Sequence, residues 1–201
     1  MIPHRYRYQK APRASGNQAS SVPVNSAEGF TIIEVLVVIV MIGILMAIGA
    51  PSWLNFVNNQ RVRNVTDAAL QTMRRAQSRA STENRTWEAS FQMTDNGVQG
   101  SAHPVDGGSA AWQLLAPEAG SLVAIAVEES TLTGDCQHGE YCIHFEDRGV
   151  IPHDWFVGAE NNDSGTLARL AFVATDAGNE PPKRCIVAAT ILGSLRVDRC
   201  E

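Results

Sequence analysis

The chain has 201 residues, 44% of them hydrophobic and 18% charged, with a formal net charge of −5. The charge is uneven: Met1–Gly29 carries Arg5, Arg7, Lys10 and Arg13 against Glu28, a net of +3, which leaves −8 for the rest. Between Phe91 and Glu201 there are 6 basic and 16 acidic residues, a net of −10, and such a surface repels nucleic acid at long range unless basic residues cluster locally.

Met1–Gly29 is polar, with Pro3, Pro12, Pro23 and scattered serines, and reads as a disordered leader. Phe30–Ala50 follows as FTIIEVLVVIVMIGILMAIGA, 21 residues in which Glu34 is the only charge. A helix of that length, at 1.5 Å per residue, just crosses the hydrocarbon core of a bilayer. The small residues Gly43, Gly49 and Ala50 suit close helix packing. A carboxylate inside such a span costs about 2.5–3.5 kcal/mol, so Glu34 is a candidate functional residue by default. The basic leader beside the span predicts a cytoplasmic N-terminus and export of everything after Ala50. The roughly 150 residues beyond Ala50 suffice for one globular domain with a core.

The sequence Gly29-Phe30-Thr31-Ile32-Ile33-Glu34, followed by a long apolar run, resembles the class III signal of type IV prepilins and type II secretion pseudopilins. The resemblance implies cleavage between Gly29 and Phe30 by a prepilin peptidase, with Phe30 N-methylated. It implies an assembly role for Glu34, about one helical turn from the new terminus, where it would pair with a neighbouring subunit's terminal ammonium and have its desolvation offset only on assembly. Leaders in that family are commonly short with Lys or Arg before the glycine, whereas here the leader has 29 residues and Glu28 in that place.

Pro51 is expected to end the span by kinking the helix or interrupting it at Gly49-Ala50. Trp53 and Phe56 then mark the outer interface. From Leu54 to about Arg85, Val57, Val62, Val65, Ala69, Met73, Ala76 and Ala80 keep the rhythm of one buried helical stripe, and Arg61, Arg63, Arg74, Arg75, Arg79 and Arg85 occupy the remaining positions. From Trp87 the period falls to two. Candidate strands are Trp87–Met93, Ala111–Leu115, Leu122–Val127, Tyr141–Phe145, Leu167–Ala174, Cys185–Ile191 and Ser194–Arg199, with turns at Asn96-Gly97, Asp106-Gly107-Gly108, Gly134-Asp135, Asp163-Ser164-Gly165 and Asp176-Ala177-Gly178. The domain plan is a leader (1–29), a transmembrane stem (30–50), an amphipathic stem (51–85) and a β-rich head (86–201). The fold class is α+β, type IV pilin-like, with a long N-terminal helix packed on an antiparallel β-sheet head.

Asn59-Gln60-Arg61-Val62-Arg63-Asn64, Ala68-Ala69-Leu70 and Met73-Arg74-Arg75-Ala76-Gln77-Ser78 resemble the stem of the GspH/FimT group, which holds the type II secretion minor pseudopilin H and FimT- or FimU-like minor pilins. The pair Arg184-Cys185-Ile186-Val187 and Gly193-Ser194-Leu195-Arg196 is similar to that group's closing hairpin. The resemblance implies a structural subunit of a type IV filament in the bacterial inner membrane, single-pass, with a periplasmic head. Its implied partners are other pilins or pseudopilins, reached through the N-terminal helix, and prepilin peptidase.

An exported location is oxidising, so Cys136, Cys142, Cys185 and Cys200 read as two disulfides. If Leu192-Gly193 form a two-residue turn, Cys185 falls opposite Cys200 within bonding range, which leaves Cys136–Cys142 as the complementary bond. The other connectivities and free thiols stay open. Cys136, His138, Cys142 and His144 also form a zinc-type set, but the spacing fits no common zinc module. Asp154, Glu160, Asn161, Asn162 and Asp163 offer calcium-type oxygens on what reads as an acidic loop. No metal or cofactor is expected. Phosphate loops, H-E-x-x-H and G-x-S-x-G are missing from the sequence, so catalysis is not expected either. Some FimT-type minor pilins bind DNA through Gly-Arg-x-Arg in the closing hairpin. Here the positions read Gly193-Ser194-Leu195-Arg196, so Arg184, Arg196 and Arg199 would supply only a weak contact. Nucleic acid is not expected as a partner.

Overall fold

The computed structural model describes residues 29–132, 136–152, 167–178 and 180–200. The chain divides into two units, Met1–Gly43 and Ile44–Glu201. Helix α1 is Ile32–Glu83, and among the described residues eight strands follow: β1 Trp87–Thr94, β2 Gly97–Pro104, β3 Gln113–Leu114, β4 Val123–Ile125, β5 Tyr141–Phe145, β6 Ala168–Ala174, β7 Lys183–Ala188 and β8 Leu195–Asp198. They form two antiparallel four-stranded sheets, ordered β3-β2-β1-β5 and β4-β6-β7-β8. The α+β expectation of a long first helix followed by antiparallel sheet is met.

Thr31 starts α1, its Oγ1 accepting the Glu34 N–H at 3.3 Å and its carbonyl accepting the Val35 N–H at 3.2 Å. Together with the acid three residues on, this is the Thr-x-x-Glu arrangement of a capping box. Asn84 ends the helix at φ 49°, and the Arg85 N–H reaches back to the Ala80 carbonyl at 3.4 Å, closing the last turn in the left-handed manner common at helix C-termini. The expected interruption before Pro51 is not seen, because the helical backbone runs through Gly49, Ala50 and Pro51. One missing N–H removes one ladder bond, and helix already propagating on both sides tolerates that loss.

Within the second unit, Val62, Val65, Ala69, Met73, Ala76 and Ala80 are buried as the stripe predicts, joined by Leu70, while Val57 is half-buried. Alanines at three of these positions let the helix approach the sheets closely. Thr66 and Thr72 sit among them with their hydroxyls bonded back to the carbonyls of Val62 and Ala68, at 2.7 and 3.0 Å, so neither leaves an unmet polar group in the core. Two polar stem residues tie down loops. Asn58 Nδ2 donates to the Asp176 carbonyl at 3.3 Å, and Gln77 Nε2 donates to the carbonyls of Gly149 and Gly193, at 2.9 and 3.0 Å.

The sequence reading misses β2. Its residues, GVQGSAHP, contain two glycines, a proline and one β-branched side chain, so neither strand propensity nor alternation marks it. It exists because Asp95-Asn96 close a two-residue hairpin, pairing Thr94 with Gly97 and every residue of β1 with one of β2. Gly100 is required there: a Cβ would lie 2.8 Å from the Leu115 side chain and 3.2 Å from the Phe91 ring.

The closing hairpin also differs from the two-residue turn expected at Leu192-Gly193. Cys185 lies opposite Asp198, and Ala188 opposite Leu195. The turn spans Thr190–Gly193, with the Gly193 N–H bonded to the Thr190 carbonyl at 2.9 Å and Gly193 at φ 76°. Glycine supplies that left-handed residue without steric cost. The pairing is displaced by two residues, so every side chain keeps its face. Cys200, just past β8, still bonds Cys185, with Cα atoms 5.3 Å apart.

Candidate functional site

Among the described residues, two places carry chemistry: the start of α1, and the polar face of the first sheet.

Along the first part of α1, every large apolar side chain from Phe30 to Ile48 is exposed, Phe30 at 81%. An 18-residue window of α1 has mean hydropathy 2.9. An exposed apolar surface this long needs lipid or another helix against it. Gly29 precedes the helix, and Glu34 lies exposed in its first turn. Sequence reasoning passed over the capping role of Thr31, although a Thr-x-x-Glu before an apolar run is a readable signal. Gly43 and Gly49 have no neighbour near the position of an added Cβ, so their small faces are open to a partner. The side chain of Pro51 lies outside the described residues.

The second place is built by register. Alternation along β1 sends Trp87, Ala89 and Phe91 into the core and Glu88 and Ser90 to the opposite face. Glu88 pairs with His103 on one side and His144 on the other, while Ser90 pairs with Ser101 and Cys142. The result is one row His103–Glu88–His144 beside a second row Ser101–Ser90–Cys142. Such a face would ordinarily meet water, yet Glu88 is 0% exposed and His103 2%. The loop closed by the Cys136–Cys142 disulfide covers it. Gln137 and His138 donate their backbone N–H groups to the Glu88 carboxylate at 3.0 and 3.4 Å. The His138 ring stands edge-on to His103 with centroids 5.0 Å apart, and His138 Nε2 is 3.3 Å from the Gly108 carbonyl. Gly139 turns the loop at φ 86°, with the Phe91 carbonyl 2.8 Å from where a Cβ would sit.

Glu88 is the centre of this network. His144 Nε2 lies 2.6 Å from Oε2, and the Ser90 hydroxyl donates to Oε1. His103 Nε2 is 3.0 Å from Ser90 Oγ and 3.5 Å from Glu88 Oε1. Burial alone would raise the carboxyl pKa, but hydrogen bonds from His144, Ser90 and the Gln137 N–H outweigh it and hold the group at about 2. His103 moves the other way from its usual value: burial lowers its pKa, and the Glu88 charge offsets this only in part. Ser90 is fully buried and its hydroxyl is bonded to the carboxylate, so the arrangement lacks an accessible nucleophile. Sequence reasoning did not find Glu88, because the register that gathers it with two histidines depends on β2.

The disulfide expectations are met in full, with Cys136 bonded to Cys142 and Cys185 to Cys200. The set Cys136, His138, Cys142 and His144 is only partly assembled: donor atoms of Cys142 and His144 gather with Glu88, all within 4.8 Å of one another, and His138 is not in that group. The acidic loop with Asp154, Glu160, Asn161, Asn162 and Asp163 lies outside the described residues.

The arginines of the closing hairpin are separated. Arg196 lies across from Val187, so Arg184, three residues before Val187, alternates to the other face of the sheet. Arg196 pairs with Asp198 at 3.4 Å, Arg199 follows the strand end, and Lys183 is bonded to Glu129. On the stem, Arg79 and Arg85 both bind Glu83, at 3.0 and 2.6 Å, and both lie over the Trp87 ring. Arg63, Arg74 and Arg75 are exposed.

Residues 24–50 match the family model described as the prokaryotic N-terminal methylation motif. The chain has no match among curated proteins or among solved structures. The motif indicates a structural subunit of the pilin or pseudopilin kind rather than an enzyme, and with the exposed apolar helix it fits single-pass anchoring in the inner membrane. The chain thus carries the N-methylation motif of prokaryotic type IV pilin-like prepilins, on a long helix followed by antiparallel sheets that is consistent with a type IV pilin-like fold.

Proposed function

We propose that this chain is a minor pilin or pseudopilin of the GspH/FimT kind, a structural subunit of a type IV filament serving type II protein secretion or type IV pilus assembly. It is inserted with its N-terminus in the cytoplasm, cut between Gly29 and Phe30 by prepilin peptidase, and N-methylated on Phe30. The observation that carries this reading is the methylation motif over residues 24–50, which covers an exposed apolar segment. Helices of neighbouring subunits cover that segment after extraction from the membrane, Gly43 and Gly49 allow close approach, and Glu34 sets the register by meeting a neighbour's terminal ammonium. Pro51 supplies a point of reduced helical bonding between the apolar and amphipathic halves of the stem.

Mass spectrometry of the membrane-extracted protein tests the reading. The expected N-terminus is Phe30, one methyl heavier than the unmodified residue. An intact Met1 in cells that process other prepilins overturns it. The separation of Arg184 from Arg196 and the ion pairs of Arg196 and Lys183 support leaving nucleic acid out of the proposal.

A further inference from the structure

We propose that the covered face of the first sheet is a redox-gated site for a zinc-type divalent ion, formed by Cys142, His144 and Glu88 and completed by Cys136 when the Cys136–Cys142 disulfide is reduced. Cys142 and His144 are two apart on β5 and share a face, and Glu88 lies directly across from His144 on β1. Two adjacent antiparallel strands thus present three donors to one point, with their ligand atoms all within 4.8 Å of one another. A tetrahedral ion with bonds of about 2.0–2.3 Å wants its donors about 3–4 Å apart, so side-chain adjustment suffices. The fourth donor needs no search, because the Cys136 sulfur is already bonded to that of Cys142.

Charge favours the exchange. Among the described residues the covering loop and sheet enclose one carboxylate, Glu88, and the disulfide beside it is neutral. Zinc with two thiolates is also neutral, so replacing the disulfide by the ion and two thiolates leaves the net charge of the buried cluster unchanged. The site differs from the two-cysteine, two-histidine set visible in the sequence. Glu88 takes the place of His138, whose Nε2 lies against the Gly108 carbonyl instead.

The chemistry balances with a thiol or phosphine reductant. Two electrons and two protons convert the S–S bond to two thiols: two reductant thiols supply both and leave as their own disulfide, or a phosphine supplies the electrons and leaves as its oxide, with water giving the oxygen and the two protons. The ion then displaces both thiol protons as it binds. His144 gives up its contact with Glu88 and offers Nε2 to the metal.

The test uses the full chain in detergent micelles, reduced with a phosphine and titrated with cobalt(II) as the spectroscopic probe. One equivalent is expected to produce a thiolate-to-cobalt charge-transfer band and the intense visible bands of a tetrahedral site, both abolished by zinc. The disulfide-bonded chain is expected to show neither. Cys185→Ser/Cys200→Ser should keep the spectrum, Cys136→Ser/Cys142→Ser should lose it, and His144→Asn should weaken cobalt binding by about tenfold or more. Circular dichroism of each variant checks that the sheets are retained. The proposal is overturned if the reduced wild type, with sheets intact, gives no saturable spectrum. It is equally overturned if the disulfide-bonded chain binds cobalt as well, or if the spectrum survives loss of Cys136 and Cys142.

Discussion

At the scale of single residues, Glu88 carries the largest expected effects. In the disulfide-bonded chain its pKa is lowered from 4.5 to about 2, so its share of stability is complete above 4.5 and is lost as pH falls from there toward 2. That share is on the order of 3 kcal/mol. The groups facing it are His103 on β2, His144 on β5 and His138 on the covering loop. Urea midpoints of the wild type should fall steeply across that window, and those of Glu88→Gln should start lower at neutral pH and change less. Gly139→Ala meets a positive φ, a backbone oxygen at 2.8 Å and the Trp112 ring at 2.8 Å, and should cost about 1–3 kcal/mol in the same assay. Little of this was legible beforehand. Glu88 stands in a plain strand sequence, Trp87-Glu88-Ala89-Ser90-Phe91, and nothing local says that its carboxylate will be roofed by a loop some fifty positions later. The methylation motif, by contrast, lies in consecutive residues, so Gly29, Phe30 and Glu34 are visible in the chain without any fold.

At the scale of elements, the helix was read well because its stripe repeats over several turns. Met73 lies in that stripe at 1% exposure, and Met73→Ala should destabilise by about 2–5 kcal/mol, seen as an unchanged denaturation slope with a lower midpoint. Strands are shorter, and their signal is correspondingly weak. Most predicted strands exist with edges moved by one to three residues, but β2 depends on its neighbour rather than on its own composition, and so escaped. The closing hairpin teaches a related lesson. The disulfide pairing followed from a turn two residues out of place, and it survived because a displacement of two preserves facing. An error of one would have sent Cys185 and Cys200 to opposite sides.

At the scale of the molecule, each sheet carries one disulfide, Cys136–Cys142 on the first and Cys185–Cys200 on the second. The bonds close spans of 6 and 15 residues, and chain-entropy reasoning assigns them about 2 and about 3 kcal/mol. Paired serine substitutions compared by urea denaturation should therefore rank Cys185→Ser/Cys200→Ser as the more damaging. The charge plan of the chain, a basic first 29 residues and an acidic stretch from Phe91 onward, was legible from composition alone because it needs no contacts. The division of the strands into two sheets was not, since it depends on pairings across long loops.

The two carbonyls held by Gln77 have a mechanical consequence. Gly149 follows the last strand of the first sheet, and Gly193 sits in the final hairpin of the second, so one amide is bolted to both. Under the function proposed above, the subunit would be pulled by its helix. Tension arriving through α1 then loads the two sheets at the same instant and from the same point, rather than peeling one before the other. Optical-trap extension of the full chain should show a single rupture, and Gln77→Ala should split it into two smaller ones.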